Sequence, residues 1–288
     1  MSELNNEVAI ITGAGSGVGK GIALELGSRG ISVVVTDIDD DAGQTTAAAI
    51  TAAGGNAAFV HADVRDATEL QEVLRVATST FGPVTITVAN VMGAGAGGKV
   101  WEHDLSVTRG LFDVLVYGSF VTVHTFGPAL IETSAQGKPA RLLIVGSEHS
   151  LGVPPHVVPV SAYTISKYAT LGLVDTARRD FEGTGVTVTL VTPSWVRTEK
   201  VQELLSGNSE IAQAIEPYVQ DTDEVARLAV EGLLRGDYIV ATNPVIRQFA
   251  IDHAREVMAA VQMLPAVEVP DHIHDGGGDS SKCPVVGL

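Results

Sequence analysis

Seven short apolar runs, each rich in β-branched residues, recur along this chain at 7–12, 32–37, 57–64, 85–90, 141–147, 186–193 and 237–242. None is long enough to be a helix of its own. Between them lie longer segments with helical spacing: Lys20 to Arg29, Asp41 to Ala53, Ala67 to Thr80, Thr108 to Glu132 and Ala162 to Phe181. Strands separated in this way need crossover connections, which make a parallel sheet covered on both faces. The alternation therefore predicts an α/β fold, a doubly wound seven-stranded parallel sheet.

The 288 residues contain no internal break in composition and no repeat, so a single domain over 1–264 is expected, followed by an irregular tail over 265–288 rich in Pro, Gly and Asp. A formal charge of −16 argues against nucleic acid and anionic lipid as partners. Cys283 is the only cysteine, which rules out an intrachain disulfide framework and suits a reducing compartment. The first residues lack a basic segment leading into an apolar core, and no apolar run has the length of a membrane span. A cytoplasmic protein without a membrane anchor is expected. His272 and His274 have no further clear ligands beside them, so no metal site is expected.

Directly after the first apolar run comes Thr12-Gly13-Ala14-Gly15-Ser16-Gly17-Val18-Gly19. A glycine-rich turn between a first strand and a first helix lets backbone N–H groups approach a pyrophosphate at the positive end of the helix dipole. Gly13, Ser16, Gly17, Val18 and Gly19 are the candidate cradle; a good turn with no ligand is the plainer alternative. Asp37 ends the second run, about 20 residues beyond the turn, where a carboxylate accepts from ribose hydroxyls and repels a 2′-phosphate. The expected cofactor is NAD, on a Rossmann-type fold. A solvated loop acid in the run 37–41 is the competing reading of Asp37. Asp63 and Val64 would lie beside the adenine, and Asn90 would support the loop below the cofactor.

Tyr163 and Lys167 are four residues apart and share one helix face. An ammonium beside a phenol, together with the positive charge of a nicotinamide, favours the phenolate, which can take an alcohol's proton. Ser147, just before this helix, offers a hydroxyl for the substrate oxygen. Ser150 competes for that role, although the strand register favours Ser147. His149 reads as a packing or rim residue.

Taken in order, these motifs resemble the classical branch of the short-chain dehydrogenase/reductase family over roughly residues 5 to 250. The resemblance implies Tyr163 as acid/base, Lys167 as its electrostatic partner and ribose ligand, and Ser147 as the group polarising the carbonyl. It places Pro193, Val196 and Thr198 at the nicotinamide carboxamide, and it implies a homodimer or homotetramer formed by the segments 108–132 and 162–181. The sequence departs from the family at Leu115, where an asparagine usually holds a proton-relaying water, and at Ala89, Met92 and Ser194.

Residues 199–216 occupy the region that covers the substrate in that family. With Trp195 and the loops 91–101 and 149–160 they suggest an apolar pocket; Trp101 and Trp195 read equally well as core or interface residues. The expected activity is NAD-dependent interconversion of a hydrophobic secondary alcohol and its ketone through Ser147, Tyr163 and Lys167. The alternative, motivated by Leu115, is a catalytically impaired dinucleotide-binding regulatory or scaffold protein.

Overall fold

The computed structural model describes residues 4–93, 97–207 and 209–265. Its strands are β1 (Val8–Thr12), β2 (Ser32–Asp37), β3 (Ala57–His61), β4 (Ile86–Ala89), β5 (Ala140–Val145), β6 (Val186–Thr192) and β7 (Ile239–Ala241). All seven predicted runs become strands. They form one parallel sheet in the order β3-β2-β1-β4-β5-β6-β7. The order reverses between β1 and β4, which opens a crevice at their C-terminal ends, the usual ligand position in such sheets.

The helices are α1 (Gly17–Ser28), α2 (Asp40–Ala52), α3 (Ala67–Phe81), α4 (Leu105–Phe112), α5 (Gly118–Ala135), α6 (Ser161–Asp180), α7 (Glu199–Gly207), α8 (Ser209–Ile215), α9 (Thr222–Arg235) and α10 (Ile246–Gln262). Side chains alternate across the sheet, so each strand feeds two cores. Val8 and Ile10 join Phe126, Leu130 and Val174 on one face, while Ala9 and Ile11 join Ile22, Leu26, Val230 and Leu233 on the other. Three of the acidic residues serve helix ends: Asp39, Asp66 and Asp104 accept from first-turn N–H groups as N-caps of α2, α3 and α4.

Two elements differ from the sequence reading. The single helix expected over 108–132 is interrupted at Asp113–Tyr117 by a π-turn, with the Gly118 N–H bonded to the Asp113 carbonyl five residues back. Gly118 is pressed on Val64, where a Cβ would come within 2.6 Å of Cγ2, so the wider turn sits where the helix meets the start of the crossover from β3 to β4. The run Leu105–Ala135 is apolar and long enough to cross a bilayer, but Phe126 and Leu130 in it are core residues of this fold. The second difference is α10, which the sequence reading left unassigned. Residues up to Ala250 form one compact unit, with Ile251 onward in a second, and the predicted tail lies outside the described residues apart from Pro265.

Candidate active site

The glycine-rich turn leaves β1 and enters α1 through Gly13 (φ +60°) and Gly17 (φ +55°), conformations that disfavour any side chain. Space is the stricter limit. A Cβ on Gly13 would sit 2.3 Å from the Asn90 carbonyl oxygen, and one on Gly19 would sit 2.2 Å from Asn90 Nδ2. Asn90 occupies that space because it fastens the turn, its Nδ2 donating to the carbonyls of Thr12 at 3.1 Å and Gly13 at 2.9 Å. Ser16 stands at the α1 N-cap without a side-chain hydrogen bond to the first turn, which has no acidic residue of its own. The start of α1 therefore keeps its positive character for an anion.

Asp37 is not a freely solvated acid. Its Oδ2 accepts from Gly15 N–H at 2.8 Å and its Oδ1 from Asp39 N–H at 3.0 Å. This explains the extra glycine in the turn, because a Cβ on Gly15 would lie 2.9 Å from the same Asp37 oxygen. Asp63 is tied to the Arg65 side chain, whose hydrogen bonds hold the carboxyl below its usual range despite partial burial. Both line an open cleft of about 430 Å³ with Asp66, Asp113 and Tyr117, and Val64 is buried beside them.

Across the crevice, Ser147 follows β5 and caps the 3₁₀ turn Glu148–Ser150. Its hydroxyl accepts from His149 N–H at 3.3 Å and favours ionisation of the Tyr163 phenol. Ser150 is fully buried and its Oγ accepts from Ser147 N–H at 3.2 Å, so of the two candidate serines it is Ser147 that meets the tyrosine. Lys167 is buried; its Nζ donates to the Val145 carbonyl at 3.2 Å and lies 5.6 Å from the centre of the Tyr163 ring. Burial pushes the ammonium down to about 8. Burial likewise pushes the Tyr163 phenol up to about 12, opposed by the Ser147 hydrogen bond and reinforced by the charge of Glu148. The lowered phenol expected from the Tyr163 and Lys167 spacing is thus not a property of the protein alone.

A family model described as short chain dehydrogenase matches residues 7–209. The chain belongs to the short-chain dehydrogenase family. It is 32% identical over 270 residues to 1-deoxy-11-beta-hydroxypentalenate dehydrogenase of Streptomyces exfoliatus, covering 91% of this chain and 92% of that one. Cyclohexanol dehydrogenase of an Acinetobacter strain is 31% identical over 202 residues, 70% of this chain and 78% of the relative. Among solved structures, a short-chain dehydrogenase/reductase from Burkholderia phymatum in complex with NAD superposes with a TM-score of 0.77 at 28% identity, covering 94% of this chain and all of that one.

Within this short-chain dehydrogenase, Leu115 is buried in the π-turn and packs in a cluster with Leu111, Ala162 and Tyr163. Pro193 accepts from Glu148 N–H at 2.8 Å, Val196 bridges to Gln220, and Thr198 stands over Gly17, where a Cβ would lie 3.1 Å from its methyl. The loop after β6 is thereby laid across the cofactor turn. Trp101 is 80% exposed, so it is not a core residue, and Trp195 is half-buried. His149 is buried, stands edge-on to the Tyr163 ring at 5.2 Å and bonds to Thr164 Oγ1 at 2.9 Å. Burial, together with the charges of His156 and Lys167, pushes it down to about 4.

Three polar residues were not singled out from the sequence. Glu148 and His156 form a buried pair beside Ser147. Glu199, at the head of α7, places its carboxylate on the cofactor turn, accepting from Gly17 N–H at 3.3 Å and from Lys20 Nζ at 3.1 Å. For Glu148 the only signal was adjacency to Ser147; the partners of His156 and Glu199 are remote in sequence.

Proposed function

We propose that this protein is an NAD-dependent oxidoreductase that interconverts a hydrophobic secondary alcohol and its ketone, with Ser147, Tyr163 and Lys167 as the site. The observation that carries the reading is the Lys167 ammonium 5.6 Å from the centre of the Tyr163 ring, with Ser147 favouring the phenolate from the other element. The cofactor fits the residues present. Gly13 and Gly19 leave backbone where any Cβ would collide, the N-cap Ser16 makes no side-chain bond to the first turn of α1, and Asp37 stands at the end of β2 with its carboxylate ready for ribose hydroxyls. Asp37 repels a 2′-phosphate, which favours NAD over NADP. Gly13, Ser16, Gly17, Val18 and Gly19 would cradle the pyrophosphate, Asp63 and Val64 would flank the adenine, and Pro193, Val196 and Thr198 would face the nicotinamide.

Bound NAD would accept or supply the hydride. Ser147 would steady the charge that develops on the substrate oxygen, and Tyr163 would move the proton at that oxygen. Lys167, with its ammonium near the ring, lowers the cost of the phenolate. The relatives named above, dehydrogenases of a cyclic alcohol and of a hydroxylated acid, support an alcohol as substrate. Exposed Leu105, Tyr117, Phe120 and Ile165 on α4, the π-turn, α5 and α6 support a homodimer or homotetramer, and the proposed location is the cytoplasm.

The test is to replace Tyr163 by Phe and follow reduced nicotinamide with a panel of hydrophobic alcohols and ketones. The variant should fold and bind NAD while turnover falls by about 100-fold or more, the usual contribution of a positioned acid/base. Near-normal turnover would remove Tyr163 from the mechanism. The buried Leu115 favours a second reading, a dinucleotide-binding protein that does not turn over; that reading predicts NAD binding with no activity in the wild-type protein over the whole panel.

A further inference from the structure

Glu148 is a carboxylate placed in the interior directly after the serine of the site. It is 2% exposed, and the 2.8 Å bond from its N–H to the Pro193 carbonyl ties its backbone to the loop after β6. There Ser194 Oγ donates to Oε1 at 2.9 Å. His156 Nε2 lies 3.3 Å from the same oxygen, an ion-pair contact and not an aligned hydrogen bond. The other carboxylate oxygen, Oε2, is buried and has no hydrogen-bond partner among the described residues. The His156 ring is itself held, stacked on Tyr218 at 4.4 Å and tilted against Phe249 at 6.2 Å. A half-satisfied carboxylate is costly to bury, and four separate segments combine to keep this one beside Ser147 and Tyr163.

We propose that Glu148, held by Ser194 and His156, is a positioning residue of the reaction, a buried negative charge beside the Ser147 and Tyr163 pair that governs how readily Tyr163 releases its proton. This rests on the reading of Tyr163 as the acid/base. In a low-dielectric interior a second negative charge nearby is expensive, so an ionised Glu148 opposes the phenolate, and a cation at His156 relieves that opposition. The charge balance around Glu148 is set by few groups. His149 stands in its own turn, His156 in the following loop, Tyr163 and Lys167 on α6, and Tyr218 behind His156. Burial raises the Glu148 carboxyl, while Ser194 and His156 counter it and favour the ionised form. The charge of Glu148 is among the causes that raise Tyr163.

The experiment uses the NAD-saturated full chain with tyrosine labelled by carbon-13 at Cζ, the Tyr163 resonance being identified by its absence in Tyr163→Phe. Two variants are titrated beside the wild type. Glu148→Gln removes the charge and keeps the shape. His156→Arg leaves Glu148 in place and gives it a permanent planar cation that can still stack on Tyr218. In both, the phenol midpoint should fall by about one pH unit, and the pH dependence of alcohol oxidation should move the same way with NAD affinity unchanged. Should Glu148→Gln fail to fold, His156→Arg carries the test alone. A midpoint that stays with the wild type while only the melting temperature drops would overturn the proposal and leave Glu148 as a structural group. Failure of the underlying reading would look different: Tyr163→Phe would keep its turnover whatever the titrations gave.

Discussion

The two banks of the crevice are built on opposite principles. On the cofactor bank the decisive groups are backbone atoms and the absence of side chains: Gly13, Gly15 and Gly19 give way to Asn90 and Asp37, which hold the turn by short hydrogen bonds. On the substrate bank the decisive groups are side chains from distant segments, with Glu148, His156, Ser194 and Tyr218 meeting around one buried carboxylate. A bank made of backbone tolerates almost nothing, because no rotamer change can clear a clash with a carbonyl. A bank made of side chains can be retuned one residue at a time, as suits a fold whose members share a cofactor and differ in substrate.

The contrast breaks if glycine replacement on the first bank proves mild. Gly13→Val places a β-branched residue at φ +60° with its Cβ 2.3 Å from the Asn90 carbonyl oxygen. Strain and overpacking together should cost on the order of 2 to 6 kcal/mol, and the displaced turn should no longer bind NAD. A wild-type melting curve with wild-type NAD affinity would show that the turn is adaptable after all.

A smaller effect is expected at Asp37, the residue proposed to favour NAD over NADP. Asp37→Ala removes an ionic acceptor and should weaken NAD by about tenfold or more, while NADP binding improves or holds, so the gap between the two narrows. Equal affinities for NAD and NADP in the wild type would mean that Asp37 does not discriminate. The smallest effect concerns the one carboxylate that spans the banks. Glu199→Gln removes a negative charge from the Gly17 N–H and frees Lys20, and NAD should bind about two- to fivefold more tightly, less so at high salt. Titration calorimetry at two ionic strengths gives the answer, and weaker binding would contradict it.

The same contrast explains what the sequence alone could convey. Fully buried parallel strands must be continuously apolar, so the seven runs were legible, and a helix entered from a turn of fixed glycine spacing was legible for the reason that makes it intolerant. The π-turn at 113–117 was not, and it sits where Gly118 packs on Val64, a contact between residues 54 positions apart that no local pattern announces. Between Ser147 and Ser150 the strand register already favours Ser147, and the geometry agrees: Ser147 acts on Tyr163, while Ser150 is turned back to the Ser147 N–H. The high proton affinity of Tyr163 in the protein alone was not legible, because the spacing to Lys167 says which groups are close and nothing of the water that burial removes or of the charge on Glu148. His156 gave no local signal at all, since its partners lie at 148, 218 and 249.

Glu199 begins α7, and its carboxylate rests on the N–H of Gly17 and on Lys20. The first residue of α7 therefore already occupies an N–H of the turn proposed to hold the pyrophosphate. Any anion that takes the same N–H must evict it, and the start of α7 must find another anchorage. Thermodynamic reciprocity then fixes the relation in both directions: whatever dinucleotide occupancy does to the freedom of α7, a ligand that immobilises α7 elsewhere does to dinucleotide affinity, in equal measure.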